Sequence, residues 1–172
     1  MKTLYTHFLV TALALLSFSL TLQAQSEYYV SPNGFGGAGT ISDPMDFQSA
    51  LNLATSDNEI SNIFLQVGVY SATPYVYVGD ADGDEMDLLI RGGFDAVFGS
   101  IADGATSVLD GMSANRCLDI NANTNGLAYT VRLFGLTFQD GYVSGENGAG
   151  LRFQTATAND MQLNVYDSNF NN

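Results

Sequence analysis

The densest set of side chains that could do chemistry is an acidic run at residues 79–87. Its aspartates Asp80, Asp82, Asp84 and Asp87 offer several hard oxygen ligands within one loop. Such oxygens suit Ca²⁺, but the run does not match an EF-hand loop, because its glycine is the fourth residue rather than the sixth and the distal glutamate is missing. Two interpretations stay open: a calcium site, and a solvated acidic loop between two strands.

Two arginines are the basic candidates for chemistry. Arg132 and Arg152 each lie between apolar residues, so both side chains are expected to point outward from adjacent strands. Such a pair could bind a uronate, although solvated surface positions explain it equally well. After residue 24 the chain has no Lys and no His, which removes most general bases and every His-containing triad or zinc site. We therefore assign no catalytic residue and no cofactor apart from the open question of Ca²⁺.

The remaining carboxylates with a possible role are scattered along the chain. Asp110, Asp119, Asp140 and Asp167 occur one per strand or turn. Asp110 and Asp140 each precede a glycine, a pair that is typical of tight turns. The pattern favours structural roles over a pair of catalytic acids.

The charge balance is strongly acidic. Asp and Glu total 18 against 5 Lys and Arg, a formal net charge of -13. Without clustered Lys and Arg the chain is not expected to bind nucleic acid or anionic lipid, and the charge fits solubility outside the cell. A single cysteine, Cys117, permits no intrachain disulfide, and its alternation with apolar neighbours predicts a half-buried structural thiol.

The segment 1–24 has the pattern of an export signal. Lys2 and His7 precede an apolar run from Phe8 to Leu22, and the small residue Ala24 precedes the expected cut. The run is short and interrupted by hydroxyl residues, which disfavours a membrane span. We expect a signal peptide at 1–24, a mature domain at 25–172 without a membrane span, and a secreted or cell-surface location.

One helix is predicted, over residues 43–54. Asp43 is expected to cap it and Pro44 to occupy its first position. Its apolar residues form a single stripe at helical spacing: Phe47, Ala50, Leu51 and Ala54. The glycine-rich segment 34–39 before it lacks the Lys of a P-loop and is expected to form a turn.

Short segments with alternating apolar residues follow, and the later ones repeat. The first places Ile63, Leu65, Val67 and Val69 on one side. A nearly constant spacing then relates Leu118 with Leu151, Val131 with Leu163, Leu133 with Val165, and Phe138 with Phe170. A fixed period of this kind is typical of solenoids, in which inward residues of parallel strands stack from one winding to the next.

Several motifs together resemble the opening of bacterial secreted proteins of the pectin-lyase-like superfamily, in particular surface proteins similar to polymorphic outer-membrane proteins and adhesins. The motifs are YVSPNG at 29–34, DP at 43–44, IFLQVGVY at 63–70, IRGGFD at 90–95, VLDG at 108–111, LTF at 136–138 and NFNN at 169–172. The resemblance implies an all-β, right-handed parallel β-helix whose N-terminal end is covered by the helix at 43–54. It also implies further coils after residue 172, so we expect a chain truncated at its C-terminal end.

Two functions follow from these expectations. The first is a secreted or cell-surface scaffold, adhesin-like and without a catalytic site, whose outward faces contact surface carbohydrate or protein ligands. The alternative is a carbohydrate-active β-helix domain. The superfamily's enzymes are polysaccharide lyases, which use Lys or Arg with Ca²⁺, and glycoside hydrolases, which use paired carboxylates.

Overall fold

The computed structural model describes residues 25–57, 60–71, 74–79, 87–102, 104–122, 130–145, 148–155 and 161–171. The expected signal peptide at 1–24 lies outside these residues, as do Asp80, Asp82 and Asp84 of the acidic run, so both remain predictions. Within the described ranges, no helix is both long and apolar enough to cross a membrane.

The described chain is mostly β, with parallel sheets. Its strands are β1 Gln25–Val30, β2 Ile60–Gln66, β3 Gly68–Ser71, β4 Tyr75–Val78, β5 Leu88–Phe94, β6 Ser107–Asp110, β7 Leu118–Ala122, β8 Thr130–Phe134, β9 Leu136–Gln139, β10 Leu151–Thr155, β11 Gln162–Tyr166 and β12 Asn169–Asn171, and its helix α1 is Phe47–Ser56. The strands form a five-stranded sheet β1-β2-β5-β8-β11, a three-stranded sheet β4-β7-β10 and a four-stranded sheet β3-β6-β9-β12. The expected all-β class is confirmed at this level.

The sequence repeat matches the register of the parallel pairs. Leu151 lies beside Leu118 in the three-stranded sheet. In the five-stranded sheet Leu163 lies beside Val131, and Phe170 lies beside Phe138 in the four-stranded sheet. Apolar residues must meet apolar residues across each pair, because a slip of one position would turn them toward solvent. The predicted spacing is therefore confirmed as strand-to-strand register.

The core is built from inward residues of all three sheets. Ile63, Ile90 and Leu133 of the five-stranded sheet are fully buried, as are Leu109 and Leu118 of the other two sheets. Burial of such side chains contributes on the order of 1.5–3 kcal/mol each.

A polar side chain also joins this interior. The buried hydroxyl of Ser107 donates to the carbonyl of Gln66 (2.8 Å) and accepts from the amide of Gly93 (3.0 Å). Because both bonds are to main chain, this serine ties β6 to the ends of β2 and β5 without leaving a buried polar group unsatisfied.

The prediction that Val67 and Val69 share a face with Ile63 and Leu65 is wrong. Val67 and Val69 are 43% and 53% exposed, and Tyr70 is buried instead. β2 ends at Gln66, so Val67 lies in the turn before β3, whose first residue, Gly68, adopts a φ of 153°. This turn changes the phase of the alternation, so the residues that follow it face the opposite way.

The helix begins later than predicted. Asp46 rather than Asp43 is the N-cap, and its carboxylate accepts from the amide of Ser49 (2.9 Å). Asp43 instead accepts from the amide of Ala38 in the preceding loop (3.0 Å). The predicted apolar stripe is confirmed, since its members are the buried residues of α1: Phe47, Ala50, Leu51 and Ala54.

Helix α1 lies against β1, β2 and β4. The side-chain amide of Gln48 donates to the carbonyl of Val76 (2.8 Å) and accepts from its amide (2.9 Å). Because β4 is an edge strand of its sheet, this side chain pairs with main-chain groups that would otherwise meet solvent or another chain.

Candidate functional site

One residue from each strand of the five-stranded sheet forms a continuous row on the face opposite the core. Register places the members side by side in the order Tyr29, Phe64, Arg91, Phe134 and Tyr166. We call these five residues the aromatic–arginine row. On β2, β5 and β8 the residues just before the row members are fully buried, so alternation directs the row outward.

The side chains of the row contact one another. The Tyr29 and Phe64 centroids lie 5.4 Å apart, and Phe134 and Tyr166 stack at 4.6 Å with an interplanar angle of 19°. Arg91 lies between these two pairs of rings, and its guanidinium is 5.9 Å from the Phe134 ring and 6.0 Å from the ring of Phe94. Each such cation–π contact contributes on the order of 0.5–1 kcal/mol at an exposed site. The result is a strip of rings packed against one another across the strands, with one guanidinium among them.

Two further rings widen the strip beside β1 and β2. Phe94 contacts Phe64 with centroids 5.3 Å apart, and Phe98 contacts Tyr29 edge-on at 4.9 Å. Phe98 holds a φ of 55°, an unusual backbone conformation for a bulky residue. It lies in a loop organised by Asp95, whose carboxylate accepts from the amide of Gly99 (2.9 Å).

Polar side chains lie beside this strip, on residues that precede members of the row by two positions along their strands. Glu27 and Arg132 belong to this neighbouring set. The Tyr29 hydroxyl donates to Glu27 Oε2 (2.8 Å); partial burial raises the pKa of Tyr29, and the Glu27 carboxylate raises it further. Arg132 Nη1 lies 2.8 Å from Asp87 Oδ2, in a pair whose side chains are 41% and 31% exposed.

A cleft of about 630 Å³ opens beside the row, between the five-stranded and four-stranded sheets. Its lining includes Arg91 and Phe134 of the row, together with Thr106, Asp167 and Asn169. Asp167 has a φ of 48° in the turn that links β11 to β12. The cleft therefore brings an arginine, an aspartate, an asparagine and an aromatic residue around one space.

The two arginines considered as a uronate site do not lie on adjacent strands. Arg132 lies in β8 of the five-stranded sheet and Arg152 in β10 of the three-stranded sheet. Arg152 Nε donates to Asp119 Oδ1 (2.8 Å), and its Nη2 contacts Asp119 Oδ2. The expectation of adjacent strands is wrong because successive strands of the chain enter different sheets. Each arginine has an acidic partner within the protein.

Asp119 is a scattered carboxylate that the fold brings into a buried cluster. It is 6% exposed, and besides Arg152 it lies 3.5 Å from Nη1 of Arg116, itself 8% exposed. Arg116 Nε also donates to the carbonyl of Gly148 (2.8 Å). Nothing in the sequence marks Arg116 for such a cluster, because its position before Cys117 carries no local sign of burial.

Asp110 and Asp140 occupy turns, as predicted from the glycines after them. Asp110 Oδ1 accepts from the amide of Met112 (2.7 Å). Asp140 has a φ of 49°, a conformation that aspartate tolerates better than most residues. Both residues therefore have the turn conformations that the glycines after them indicate.

Cys117 is more deeply buried than predicted, at 2% exposure. The reason is that β7 begins only at Leu118, so the alternation of the strand does not extend to the thiol. Burial raises the pKa of Cys117, which keeps the thiol protonated and disfavours nucleophilic chemistry.

The described residues contain no group of three or more His, Cys, Asp or Glu side chains that could hold a metal ion. Of the acidic run's aspartates, Asp87 is described, and besides its pair with Arg132 its Oδ1 accepts from the amide of Thr130 (2.8 Å). The calcium interpretation of the run stays a prediction.

The glycine-rich segment 34–39 forms a turn packed closely on main chain. A Cβ at Gly34 would lie 2.3 Å from the carbonyl oxygen of Met45, so only glycine allows this approach. The expectation of a turn rather than a phosphate loop agrees with this packing.

No family model, curated protein or solved structure matches the chain.

Proposed function

We propose that this chain is a secreted or cell-surface scaffold of the right-handed parallel β-helix type, adhesin-like and non-enzymatic, which contacts its ligands through its outer faces. The observation that carries the proposal is the aromatic–arginine row on the outer face of the five-stranded sheet, where partly buried rings adjoin the exposed Arg91 and Tyr166. Continuous apolar surface is typical of contact sites, whereas single exposed apolar residues are common on all protein surfaces.

The strand order supports the β-helix part of the proposal. The chain enters the five-stranded, four-stranded and three-stranded sheets in rotation, as β2, β3 and β4, then β5, β6 and β7, then β8, β9 and β10. Each of β2, β3 and β4 pairs in parallel with the strand three places later. A chain that winds around one axis and adds one strand to each sheet per winding produces this order.

The engagement of the basic side chains favours a scaffold over a lyase. Arg91 lies against two rings. Arg116 and Arg152 contact Asp119, and Arg132 has a carboxylate partner of its own. A general base must be free to take a proton from the substrate, and an arginine held against a carboxylate keeps its charge. The lyase form of the carbohydrate-active alternative therefore has weaker support.

The test of this proposal is turnover. The purified chain is incubated with pectin, polygalacturonate and neutral plant polysaccharides, with and without Ca²⁺, while unsaturated products and reducing ends are measured. We expect neither to rise above a heat-inactivated control. Clear turnover would overturn the scaffold assignment, and a solved structure with antiparallel hairpins between facing sheets would overturn the β-helix.

The export part of the proposal has its own measurement. Expression of the full chain in a bacterium with a general secretion system should yield a product outside the cytoplasm whose N-terminus is Gln25, as determined by mass spectrometry. A product that keeps Met1 and stays in the cytoplasm would contradict secretion without affecting the fold.

A further inference from the structure

We infer that the cleft between the five-stranded and four-stranded sheets binds a small zwitterion with an apolar side chain, of the chemical class of free leucine or phenylalanine. The carboxylate of this ligand pairs with Arg91, its ammonium group pairs with Asp167, and its side chain packs against the apolar loop between β5 and β6. The inference goes beyond the proposed function and stands apart from it, because it requires neither export nor the absence of catalysis.

Arg91 supplies the positive pole of the cleft. The other three arginines contact Asp119 or Asp87, whereas Arg91 has no carboxylate partner among the described residues. Its guanidinium lies against two rings, 5.9 and 6.0 Å from their centroids. Such contacts do not use up the N–H donors of the guanidinium. Those donors match a carboxylate, which can accept two of them in parallel.

Asp167 and Asn169 supply the negative and polar side of the cleft. Both residues are exposed, and no arginine of the described chain pairs with Asp167. Register places Asp167 two strands and one residue away from Arg91, about 10 Å between the two Cα atoms. The two side chains narrow this gap, so it suits a ligand whose opposite charges lie close together, as in an amino acid. The Asn169 amide can both donate to and accept from such a ligand.

The loop between β5 and β6 supplies an apolar wall. Ile101, Ala102 and Ala105 line the cleft there, and Ile101 is 42% exposed. Main-chain hydrogen bonds fix this wall, because the amide of Ala102 donates to the carbonyl of Gly93 (2.9 Å) and the amide of Ala105 to the carbonyl of Ala102 (3.0 Å). Small-molecule sites combine apolar lining with a few placed polar groups. The uncharged part of the ligand is therefore an apolar side chain.

The charge of the whole chain favours a zwitterion over a simple anion or cation. The formal net charge is -13, which repels an anion that approaches Arg91. A cation is attracted to the chain, but it meets the guanidinium in the same cleft. A molecule with one charge of each sign has no net charge to be repelled, and it pairs with both poles.

Calorimetric titration of the purified full chain with leucine and phenylalanine tests the inference. We expect a Kd of about 1 mM or tighter for at least one of them. The amide and the N-acetyl form of the same amino acid are the matched comparisons, because the first lacks the carboxylate and the second lacks the ammonium charge. Each loses one charge-assisted contact, so each should bind at least about tenfold more weakly.

Two variants locate the binding in the cleft. Arg91→Gln and Asp167→Asn each remove one charge, and each should weaken binding by at least about tenfold. Asparagine tolerates the φ of 48° at position 167 as aspartate does, so that variant keeps the turn. Arg132→Gln and Glu27→Gln are the matched controls, because they remove the same charges from the same sheet at residues that do not line the cleft. Both controls should keep the Kd of the parent, and circular dichroism checks the fold of all four variants.

A nitrogen-15 NMR titration gives an independent location for the ligand. The bound amino acid should shift the amide signals of Ala102, Ala105 and Asn169. The inference is overturned if neither amino acid binds, if the amide or N-acetyl form binds as tightly as the zwitterion, or if the cleft variants lose no more affinity than their controls. Shifts confined to residues away from the cleft would also refute it.

Discussion

Gln48 allows a test of how the first edge of the three-stranded sheet is stabilised. Its side chain reaches from α1 to β4 and forms two hydrogen bonds with the main chain of Val76, at 2.8 and 2.9 Å. Gln48→Met keeps the length and approximate volume of the side chain and has a similar helix propensity. The substitution therefore removes these two hydrogen bonds, together with an exposed one from Gln48 to Asn52.

The expected cost follows from those two bonds. A typical intramolecular hydrogen bond contributes roughly 0.5–1.5 kcal/mol net, so the free energy of unfolding should fall by about 1–3 kcal/mol. The upper half of this range applies if the methionine keeps water from the amide and carbonyl of Val76, because both groups would then be buried without partners.

Asn52→Ala is the matched control for this substitution. Asn52 accepts from the same Gln48 amide (2.9 Å), on the exposed side of α1 and away from the main chain of β4. Its replacement removes a surface hydrogen bond and leaves both bonds to Val76 in place, so its cost should stay below about 0.5 kcal/mol.

Two measurements check this prediction. Urea unfolding followed by circular dichroism gives the change in free energy, and hydrogen exchange gives the protection of the Val76 amide. We expect both to decrease in Gln48→Met and neither in Asn52→Ala. A Gln48→Met variant within about 0.5 kcal/mol of the parent, with its Val76 amide still protected, would refute the role of Gln48 at this edge.

Three further predictions concern Asp119, Asp95 and Cys117. Asp119→Asn removes the carboxylate from a largely buried pair of arginines, and urea unfolding should show a loss of about 3 kcal/mol. The Ser100 hydroxyl and the Gly99 amide hydrogen-bond to Asp95 and lower its pKa, so the stabilisation of this loop is present above the ordinary aspartate pKa and is lost as pH falls through the lowered value. An NMR titration of the Gly99 amide should have its midpoint below about 3.9. Cys117, with its raised pKa, should react with a thiol reagent only as fast as the protein unfolds.

Each of these predictions has a contradicting result. Asp110→Asn, at a partly exposed turn, is the control for Asp119→Asn, and equal losses in the two variants would show that the buried pairing is not what stabilises the cluster. A midpoint for the Gly99 amide at or above the ordinary value would contradict the assigned hydrogen bonds. Rapid labelling of Cys117 in native buffer, compared with a denatured sample, would contradict its burial.

The sequence alone determined the class of the fold and much of its register. The alternation at Val131 and Leu133 and its recurrence at Leu163 and Val165 predicted the parallel pair that β8 and β11 form. The apolar stripe of α1 was equally predictable. Both signals are local, because apolar residues at a fixed spacing indicate one buried face of a regular element.

Breaks in that regularity were not predictable in the same way. The turn at Gly68 reverses the facing of Val69, although the apolar pattern continues through it unchanged. The choice of Asp46 over Asp43 as the helix cap likewise depends on how the preceding loop packs, because both residues are sound caps by type. Local propensity permits more than one facing for the residues of a strand and more than one first residue for a helix. Packing selects one of them.

The candidate site was decided by the tertiary structure. The intervals between successive members of the aromatic–arginine row, from Tyr29 to Tyr166, are unequal along the chain, so no fixed period marks them. They meet because strands of one sheet are brought into register while the loops between them vary in length. The same is true of Arg116, Asp119 and Arg152, where burial converts surface residue types into a charge cluster. Inward residues are recognisable one strand at a time by their apolar alternation, whereas the outward residues that become neighbours depend on which strands pair.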